Sequence, residues 1–354
     1  MMRVMIMAGG TGGHVFPALA VAAVLRERGA EVFWLGTRQG LEARVVPATG
    51  IAIEWVSVSG LRGKGMMAWL LAPWRLAWAA WQVVGVILRR RPMVVLGMGG
   101  FVTGPGGVVT WLLRKPLLIH EQNAVAGLTN KLLAPLAQRV MEGFPGTLRG
   151  RRVLHTGNPV RASIAQLPAP EQRFAERRGA LHLLVVGGSL GARALNEVVP
   201  AALARLASCP EVWHQCGVRH LDEAREHYRR AAVEARIEPF IDDMAAAYGW
   251  ADLVVCRAGA LTVAELAAAG VGAILVPYPH AVDDHQTRNA AYLANGGAAV
   301  VVQQREMTVE ALHELLGSLA DRGRLSAMAQ AARRLAQPDA AERVAAQCWE
   351  AAYA

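Results

Sequence analysis

Residues 3–25 read RVMIMAGGTGGHVFPALAVAAVL, an apolar run that gives way to five residues rich in glycine and then to a second apolar run. The first run, residues 3–8, has the length of a buried strand, and residues 15–25 carry a helical pattern. The same order returns at residues 182–186, followed by GGSLGAR over 187–193 and a helical stretch over 195–206. The chain therefore starts a strand, a glycine turn and a helix twice.

Short runs rich in β-branched residues lie between and after these two units, separated by helical stretches. They occupy residues 31–35, 93–96, 116–119, 211–215, 253–256 and 273–276. Such alternation predicts parallel sheets built from βαβ units with right-handed crossovers. We expect an α/β protein of two Rossmann-like, doubly wound domains. The break at Gly157-Asn158-Pro159 predicts domains over 1–160 and 161–338, and residues 339–354 form a last helix.

Composition narrows the function classes. The chain has 354 residues, 53% of them hydrophobic, which excludes intrinsic disorder, and a net charge of +9, which favours an acidic partner. Nucleic acid, an anionic membrane and a phosphorylated small molecule all fit that charge. The four cysteines show no CxxC spacing, which argues against zinc and against a disulfide scaffold and favours a reducing cytoplasm. The N-terminus indicates a first strand rather than a signal peptide.

The glycine loops point to a phosphate ligand. A helix that starts after glycines presents backbone N–H groups and a positive dipole end. Neither loop fits GxGxxG, and the second strand ends in LGTR over 35–38 without an acidic residue for a ribose, so nicotinamide and flavin are disfavoured. The P-loop pattern is absent as well. A third glycine-rich stretch at 97–107 favours a cleft for a diphosphate over the alternative of tight structural turns.

Candidate chemical groups follow the predicted strands. His14 ends the first glycine loop, where a neutral imidazole can act as a base, or else only cap the turn. Glu121 and Asn123 follow an apolar strand and are expected at the carboxyl edge of the sheet. A polar cluster at 280–289 is either a ligand contact or a solvated loop, and residues 257–265 form a further helix start suited to an anion. No spacing supports a dedicated metal site, and no cofactor is expected.

Residues 66–88 hold four of the ten tryptophans, Trp69, Trp74, Trp78 and Trp81, and precede three arginines at 89–91. Pro73 and Arg75 argue against a helix that spans the membrane. We expect an amphipathic helix lying on an anionic membrane surface, with Arg62, Lys64 and the three arginines at the lipid headgroups. The alternatives are a helix packed on the sheet with its tryptophans in the core, and a spanning helix. No recognised nucleic-acid motif is present, so no nucleic-acid partner is expected.

Blocks along nearly the whole chain resemble one family. They are GGTGGHVFPALAVA, SGLRGKG, LGMGGFVTGPGG, HEQNAVAGLTNK, GNPVR, VVGGSLGAR, FIDDMAAAYGWADLVVCRAGALTVAELAAAG and PDAAERVA. Together they resemble the MurG family, the peptidoglycan N-acetylglucosaminyltransferases. The resemblance implies a GT-B fold with an acceptor-binding first domain, a nucleotide-sugar-binding second domain and a last helix that returns to the first. It implies inverting transfer of N-acetylglucosamine from UDP-GlcNAc to the C4 hydroxyl of lipid I, giving lipid II, at the cytoplasmic face of the inner membrane.

The resemblance also implies roles for single residues. His14 is the expected base, with Glu121 a weaker catalytic candidate. Ile241 is expected at the uracil, Glu265 at the ribose, and Gln286 and Asn123 at the sugar. The UDP-GlcNAc contacts implied in this way are Thr11, Gly12, Gly13, Asn123, Arg161, Ser189, Ile241, Ala260, Leu261, Thr262, Val263, Ala264, Glu265 and Gln286.

Two other readings remain open at this point. A UDP-N-acetylglucosamine 2-epimerase resembles this fold and uses the same donor, but it has no need of a membrane segment. A membrane-docked nucleotide-sugar sensor would bind the donor without turnover. Replacing His14 by Ala separates them, because an enzyme loses rate far more than donor affinity.

Overall fold

The computed structural model describes residues 1–58, 70–188 and 191–354. The described chain divides into two compact units, of which unit 1 is Met1–Val160 with Asp339–Ala354 and unit 2 is Arg161–Pro338. Each unit contains one parallel sheet with helices packed on it. The expectation of two doubly wound parallel-sheet domains is therefore confirmed.

Unit 1 is built on a seven-stranded sheet in the order β3-β2-β1-β4-β5-β6-β7, and every neighbouring pair is parallel. The strands are β1 (Arg3–Met7), β2 (Glu31–Gly36), β3 (Ala52–Trp55), β4 (Val94–Gly97), β5 (Leu117–Glu121), β6 (Arg139–Glu142) and β7 (Val153–His155). The described helices are α1 (Gly12–Glu27), α2 (Glu42–Val45), α3 (Ala72–Arg90), α4 (Thr103–Leu112), α5 (Leu128–Leu133) and, from the end of the chain, α15 (Ala340–Tyr353), with a 3-10 turn at Pro47–Thr49.

Strand β1, an inner strand of unit 1, is buried on both faces, as is typical of a parallel sheet. Val4 and Ile6 of β1 pack in a cluster with α1 and α15, whereas Met5 and Met7 pack in a second cluster with α3 and α4. This alternation follows from the two-residue period of a strand. Because β1, β4 and β5 are parallel neighbours, their carboxyl ends lie at one edge of the sheet, where the loops that carry the candidate site begin.

Unit 2 is built on a six-stranded parallel sheet in the order β10-β9-β8-β11-β12-β13. Its strands are β8 (His182–Val186), β9 (Glu211–Gln215), β10 (Arg236–Glu238), β11 (Leu253–Cys256), β12 (Gly272–Leu275) and β13 (Ala299–Val301). Its helices are α6 (Ala162–Ala165), α7 (Pro170–Glu176), α8 (Arg193–Leu203), α9 (Leu221–Arg230), α10 (Met244–Trp250), α11 (Ala260–Ala269), α12 (His285–Asn295), α13 (Val309–Ser318) and α14 (Arg322–Arg334), with 3-10 turns at Val218–His220, Val282–Asp284 and Gln304–Glu306.

Candidate active site

The first glycine loop joins β1 to α1 at the carboxyl edge of the unit 1 sheet. Thr11 is the extended residue that precedes α1, and its carbonyl accepts the first helical bonds, from the amides of His14 and Val15. Gly10 has φ +92°, a conformation that favours glycine. Thr11 is exposed and Gly12 half-buried, so the first-turn amides open toward solvent. The loop has the form of an anion-binding helix start.

A buried carboxylate holds this loop in place. Glu42 of α2 is fully buried, and its Oε2 accepts a hydrogen bond from the Gly10 amide at 2.9 Å. Its Oε1 accepts two more, from the amide of Thr37 at 2.9 Å and from the Thr37 hydroxyl at 2.7 Å. A Cβ at Gly9 would lie 2.6 Å from Glu42 Oε1. The loop therefore needs Gly9, Gly10 and this carboxylate to keep its conformation.

His14 lies in the first turn of α1, half-buried, and its ring lies next to Gln122 and Gly99. Its Nδ1 is 2.9 Å from Oε1 of Gln122, which follows β5. The backbone of Gly99, which follows β4 and has φ +98°, also approaches the ring, so closely that a Cβ there would lie 2.6 Å from Nδ1. Three neighbouring strands of one sheet thus supply the histidine and the groups that orient it.

Glu121 is the last residue of β5, and its carboxylate is directed at its own loop. Oε1 accepts from the amide of Asn123 at 2.9 Å and from its side chain at 3.2 Å. Oε2 accepts from the amide of Gly127 and from Asn130 Nδ2, each at 2.9 Å. Glu121 is buried, and its carboxylate accepts hydrogen bonds from four donors. These contacts give Glu121 a structural role, which is to shape the 123–127 loop.

In unit 2, Arg161 and Glu265 are paired with each other. Nη2 of Arg161 is 2.7 Å from Oε1 of Glu265, and Nε donates to the same oxygen at 3.1 Å. The Tyr248 hydroxyl donates to Oε2 at 3.3 Å. Burial raises the pKa of the Glu265 carboxyl, and Arg161 and Tyr248 oppose that shift. The pair anchors an arginine whose side chain keeps 30% of its surface exposed, a suitable arrangement for a phosphate contact.

The helix start that precedes Glu265 is also of the anion-binding type. Gly259 is the extended residue before α11, and the first turn consists of Ala260, Leu261, Thr262 and Val263 with Ala264 next. Leu261 and Val263 are buried, whereas Thr262 is half-buried. The Ala258 carbonyl, just ahead of the turn, accepts from Nδ2 of buried Asn289 at 3.2 Å. The site offers backbone N–H groups rather than side chains.

The remaining predicted contacts of unit 2 lie in separate loops. Ile241 is buried just before α10, and Gln286 is half-buried in the first turn of α12, where its Oε1 accepts from the amide of Tyr278 at 2.8 Å. Ser189 lies outside the described residues. Across the described ranges, no three His, Cys, Asp or Glu side chains are grouped as a metal site requires.

Comparison with known proteins identifies the chain. A model of the glycosyltransferase family 28 N-terminal domain matches residues 4–142, and one of the family's C-terminal domain matches residues 182–344. The crystal structure of Acinetobacter baumannii MurG is similar with a TM-score of 0.84 and 43% identity, covering 99% of this chain and 100% of that one. This chain belongs to the MurG family.

Relatives of the MurG family agree over the full length. A protein of Nitrosococcus oceani is 60% identical over 99% of both chains, and one of Marinobacter nauticus is 57% identical over 99% of this chain and 98% of its own. Both are named UDP-N-acetylglucosamine–N-acetylmuramyl-(pentapeptide) pyrophosphoryl-undecaprenol N-acetylglucosamine transferase. A putative UDP-N-acetylglucosamine 2-epimerase of Listeria monocytogenes shares the fold at 15% identity and a TM-score of 0.67. The resemblance stated from the sequence is confirmed, and so is the GT-B fold of the MurG family.

The tryptophan helix of this MurG chain begins at Ala72, with Pro73 in its first turn, where proline is tolerated. Trp74, Trp78 and Trp81 are 77%, 52% and 65% exposed, so they do not lie in the core. Trp69 lies outside the described residues. Among the described helices, none has the length and apolar composition needed to cross a membrane.

The arginines at the end of α3 do not all behave as expected. Arg89 and Arg90 both bind Glu54 of β3, at 2.5 Å and 2.7 Å, so two of the five charges expected at lipid headgroups are paired within the fold, while Arg62 and Lys64 lie outside the described residues. The reason is the helix direction, since α3 ends beside the edge strand β3. The sequence did not reveal that two more helices add to the exposed apolar surface of α3. Helix α4 packs beside α3, and α5 packs beside α4. Their exposed apolar residues are Val108, Trp111, Leu112, Leu128 and Leu132.

Three residues that shape the unit 1 site were also missed: Glu42, Gly99 and Gln122. Gly99 lies in the glycine-rich stretch 97–107, but that stretch does not show that it meets His14, 85 residues earlier in the chain. Glu42 is not marked as a partner of the loop, because Gly10 lies 32 residues before it. Gln122 had a local signal: in HEQN, residues 120 and 122 share one face of the strand end, and residues 121 and 123 share the other. That alternation separates Gln122, which contacts His14, from Glu121, which does not.

Proposed function

We propose that this chain transfers N-acetylglucosamine from UDP-GlcNAc to the C4 hydroxyl of undecaprenyl-diphosphate-linked MurNAc-pentapeptide, converting lipid I to lipid II with inversion at the anomeric carbon. The observation that carries the proposal is 57–60% identity, over practically the whole chain, to transferases named for this reaction. The described geometry supports it, because unit 1 holds an oriented histidine beside a glycine loop and unit 2 holds an anchored arginine beside a helix start.

The proposed chemistry needs one base and a stabilised leaving group. His14 accepts the proton of the C4 hydroxyl as that oxygen forms a bond to the anomeric carbon, and the bond from this carbon to the UDP oxygen breaks. The electron pair leaves with UDP, whose growing charge is stabilised by backbone N–H groups at helix starts and by Arg161.

Donor contacts are proposed for residues of both units. Thr11, Gly12 and Gly13 approach the sugar and the acceptor diphosphate, and Asn123 binds the sugar together with Gln286. In unit 2, Ile241 meets the uracil through its backbone, Ser189 and Arg161 bind the phosphates, and the start of α11 faces the diphosphate. Glu265 was expected at the ribose, but its pairing with Arg161 adds a second role, which is to hold that arginine for the phosphates. We propose no catalytic role for Glu121, since its carboxylate holds the loop that carries Asn123.

The test is transfer of labelled N-acetylglucosamine from UDP-GlcNAc to a lipid I analogue in detergent, with and without acceptor. A labelled lipid product that forms only with acceptor supports the proposal. His14→Ala should lower kcat by about 10²- to 10⁴-fold and leave donor affinity within a few-fold, while His155→Ala, at an exposed histidine of the same unit, should retain activity. N-acetylmannosamine as product, or donor binding without product, would refute the transferase.

We also propose that unit 1 docks peripherally on the cytoplasmic face of the inner membrane through the exposed apolar side chains of α3, α4 and α5. A contiguous apolar surface of this kind is typical of an interaction site, and tryptophan favours the headgroup boundary. The net charge of +9 favours an anionic surface. Trp78 and Trp81 stack on this surface with their ring centroids 5.0 Å apart, so substituting both tests the docking most directly.

Binding to vesicles that contain phosphatidylglycerol measures this docking. The double variant Trp78→Ser/Trp81→Ser should bind at least about tenfold more weakly, because two aromatic side chains no longer enter the interface. Tyr353→Ser is the matched control, since Tyr353 is an exposed aromatic residue at the end of α15 in the same unit. Equal binding of both variants would show that another surface contacts the lipid.

A further inference from the structure

Gly157, His120 and Gln122 form a row of hydrogen-bonded groups that ends at His14, and in each bond of this row the donor and the acceptor are determined. The row begins at the carbonyl oxygen of Gly157, which lies 3.0 Å from Nε2 of His120. A carbonyl oxygen only accepts, so Nε2 of His120 must carry the hydrogen. His120 is fully buried, and burial lowers its pKa from 6.5 to about 4, so the ring is neutral near pH 7. A neutral ring with hydrogen on Nε2 has a lone pair on Nδ1, which therefore accepts.

The side-chain amide of Gln122 connects His120 to His14. Its Nε2 lies 3.2 Å from Nδ1 of His120 and 3.2 Å from the His120 carbonyl oxygen. Both of these atoms are acceptors, so the amide nitrogen must face them. The opposite orientation would place the amide oxygen against two acceptors and leave it without a donor. The orientation of Gln122 is thus set by His120, and its Oε1 points to His14.

The last step fixes the tautomer of His14. Oε1 of Gln122 accepts, and it lies 2.9 Å from Nδ1 of His14, so Nδ1 carries the hydrogen and Nε2 of the neutral ring has the lone pair. Gly99 lies beside the same ring, since a Cβ built at Gly99 would lie 2.6 Å from Nδ1 and 2.7 Å from Cε1. Every atom that sets this arrangement belongs to unit 1.

We propose that Gln122 and His120 are positioning residues for the base: they hold His14 as the Nδ1–H tautomer, so that Nε2 is the atom that accepts the proton of the acceptor hydroxyl. The inference rests on the proposed function for its catalytic meaning. The tautomer itself is a property of the free protein. In water a histidine side chain favours the Nε2–H form, which cannot accept a proton at Nε2, so the row converts the ring to its competent form.

The tautomer is measured directly by long-range ¹H–¹⁵N NMR of the ¹⁵N-histidine-labelled protein near pH 7.5, without substrate. The His14 and His120 signals are assigned by their loss in His14→Ala and His120→Gln. We expect protonated Nδ1 and bare Nε2 for His14, and the reverse for His120. A wild-type His14 with hydrogen on Nε2 would overturn the proposal without any positioning variant.

Variants of Gln122 test the positioning. Gln122→Met keeps the length of the side chain and removes its three hydrogen bonds, so we expect His14 to shift toward the Nε2–H form and kcat to fall about 10- to 10²-fold, with KM for UDP-GlcNAc within twofold. Gln122→Glu keeps an acceptor for His14, so Nδ1–H should persist and kcat should lie above that of Gln122→Met. Its second oxygen faces Nδ1 of His120, so the His120 signals should change instead.

The control is Gln138→Met, the same substitution at a half-buried glutamine of unit 1 outside the row, which should leave both histidine signals and kcat unchanged. An unchanged His14 tautomer in Gln122→Met would refute the role of Gln122, as would wild-type kcat in that variant. The two proposals can be refuted separately. If the NMR pattern is as expected but no lipid product forms, the proposed transferase activity is wrong. If lipid product forms although His14 carries its hydrogen on Nε2, the proposed positioning of His14 by Gln122 and His120 is wrong.

Discussion

Replacing Glu42 by Gln tests how the first glycine loop is held. The substitution keeps the volume of a fully buried side chain, so no cavity forms. The carboxylate accepts three hydrogen bonds, from the amide of Gly10, the amide of Thr37 and the Thr37 hydroxyl. An amide has one acceptor oxygen, so at least one donor would face an NH₂ group, and the remaining bonds would lose their charge.

The size of the effect follows from those three bonds. Hydrogen bonds to a charged group contribute about 1.5–3 kcal/mol each and neutral ones about 0.5–1.5, while an unsatisfied buried donor costs about 1–3. We expect the free energy of unfolding of unit 1 to fall by about 2–4 kcal/mol. For a domain of this size each kcal/mol lowers Tm by about 2–4 °C, so a loss near 3 kcal/mol corresponds to about 6–12 °C.

Thermal unfolding followed by circular dichroism, together with the transfer assay, checks this expectation. Glu54→Gln is the matched control, since the partners of half-buried Glu54, Arg89 and Arg90, are exposed to solvent, and pairs with exposed arginines contribute about 0–1 kcal/mol. A loss of kcat should accompany the fall in Tm of Glu42→Gln, because Gly10 and His14 belong to one loop. A Tm within 1 °C of the Glu54 control would refute the reasoning.

Two further expectations concern the neighbours of His14. Gly99→Ala should lower kcat more than tenfold by displacing the His14 ring, whereas Gly29→Ala, which has a similar positive φ of +81° but open space around it, should cost only about 1–2 kcal/mol of stability and keep kcat; equal kcat in both variants would contradict this. Stability should also fall with pH: the unfolded chain protonates His120 near pH 6.5 and the folded chain only near pH 4, so its contribution, up to about 3 kcal/mol, is present above pH 6.5 and lost between these values. Unfolding temperatures from pH 7 to pH 4 measure this loss, and His120→Gln should flatten the slope.

The sheets were predictable where strands are buried on both faces. β1 and β8 appear in the sequence as continuous apolar runs before glycine loops, and the structure has both. β3 and β7 are short edge strands with half-exposed side chains, and no apolar run marks them. The edges of a parallel sheet therefore escape a pattern that depends on burial.

The site was predictable where one short segment carries it. His14 and the start of α11 follow glycine turns that are visible in the sequence. The partner of His14 is 108 residues away in the chain, and that of Gly10 is 32 residues away, so neither Gln122 nor Glu42 follows from local spacing. Glu121 was expected at the substrate because its strand was placed correctly, but which face of the strand end it occupies depends on register.

The packing of α15 on α1 affects the order in which the chain acquires its structure during synthesis. Val344 and Cys348 of α15 belong to the same core cluster as Val15 and Val21 of α1, yet the ribosome makes all of unit 2 between them. At about 5–20 residues per second, the nascent first unit waits roughly 10–40 s with this apolar face uncovered. Unit 2 is in effect inserted into unit 1, so the nascent chain depends on protection of that face until its final turns emerge.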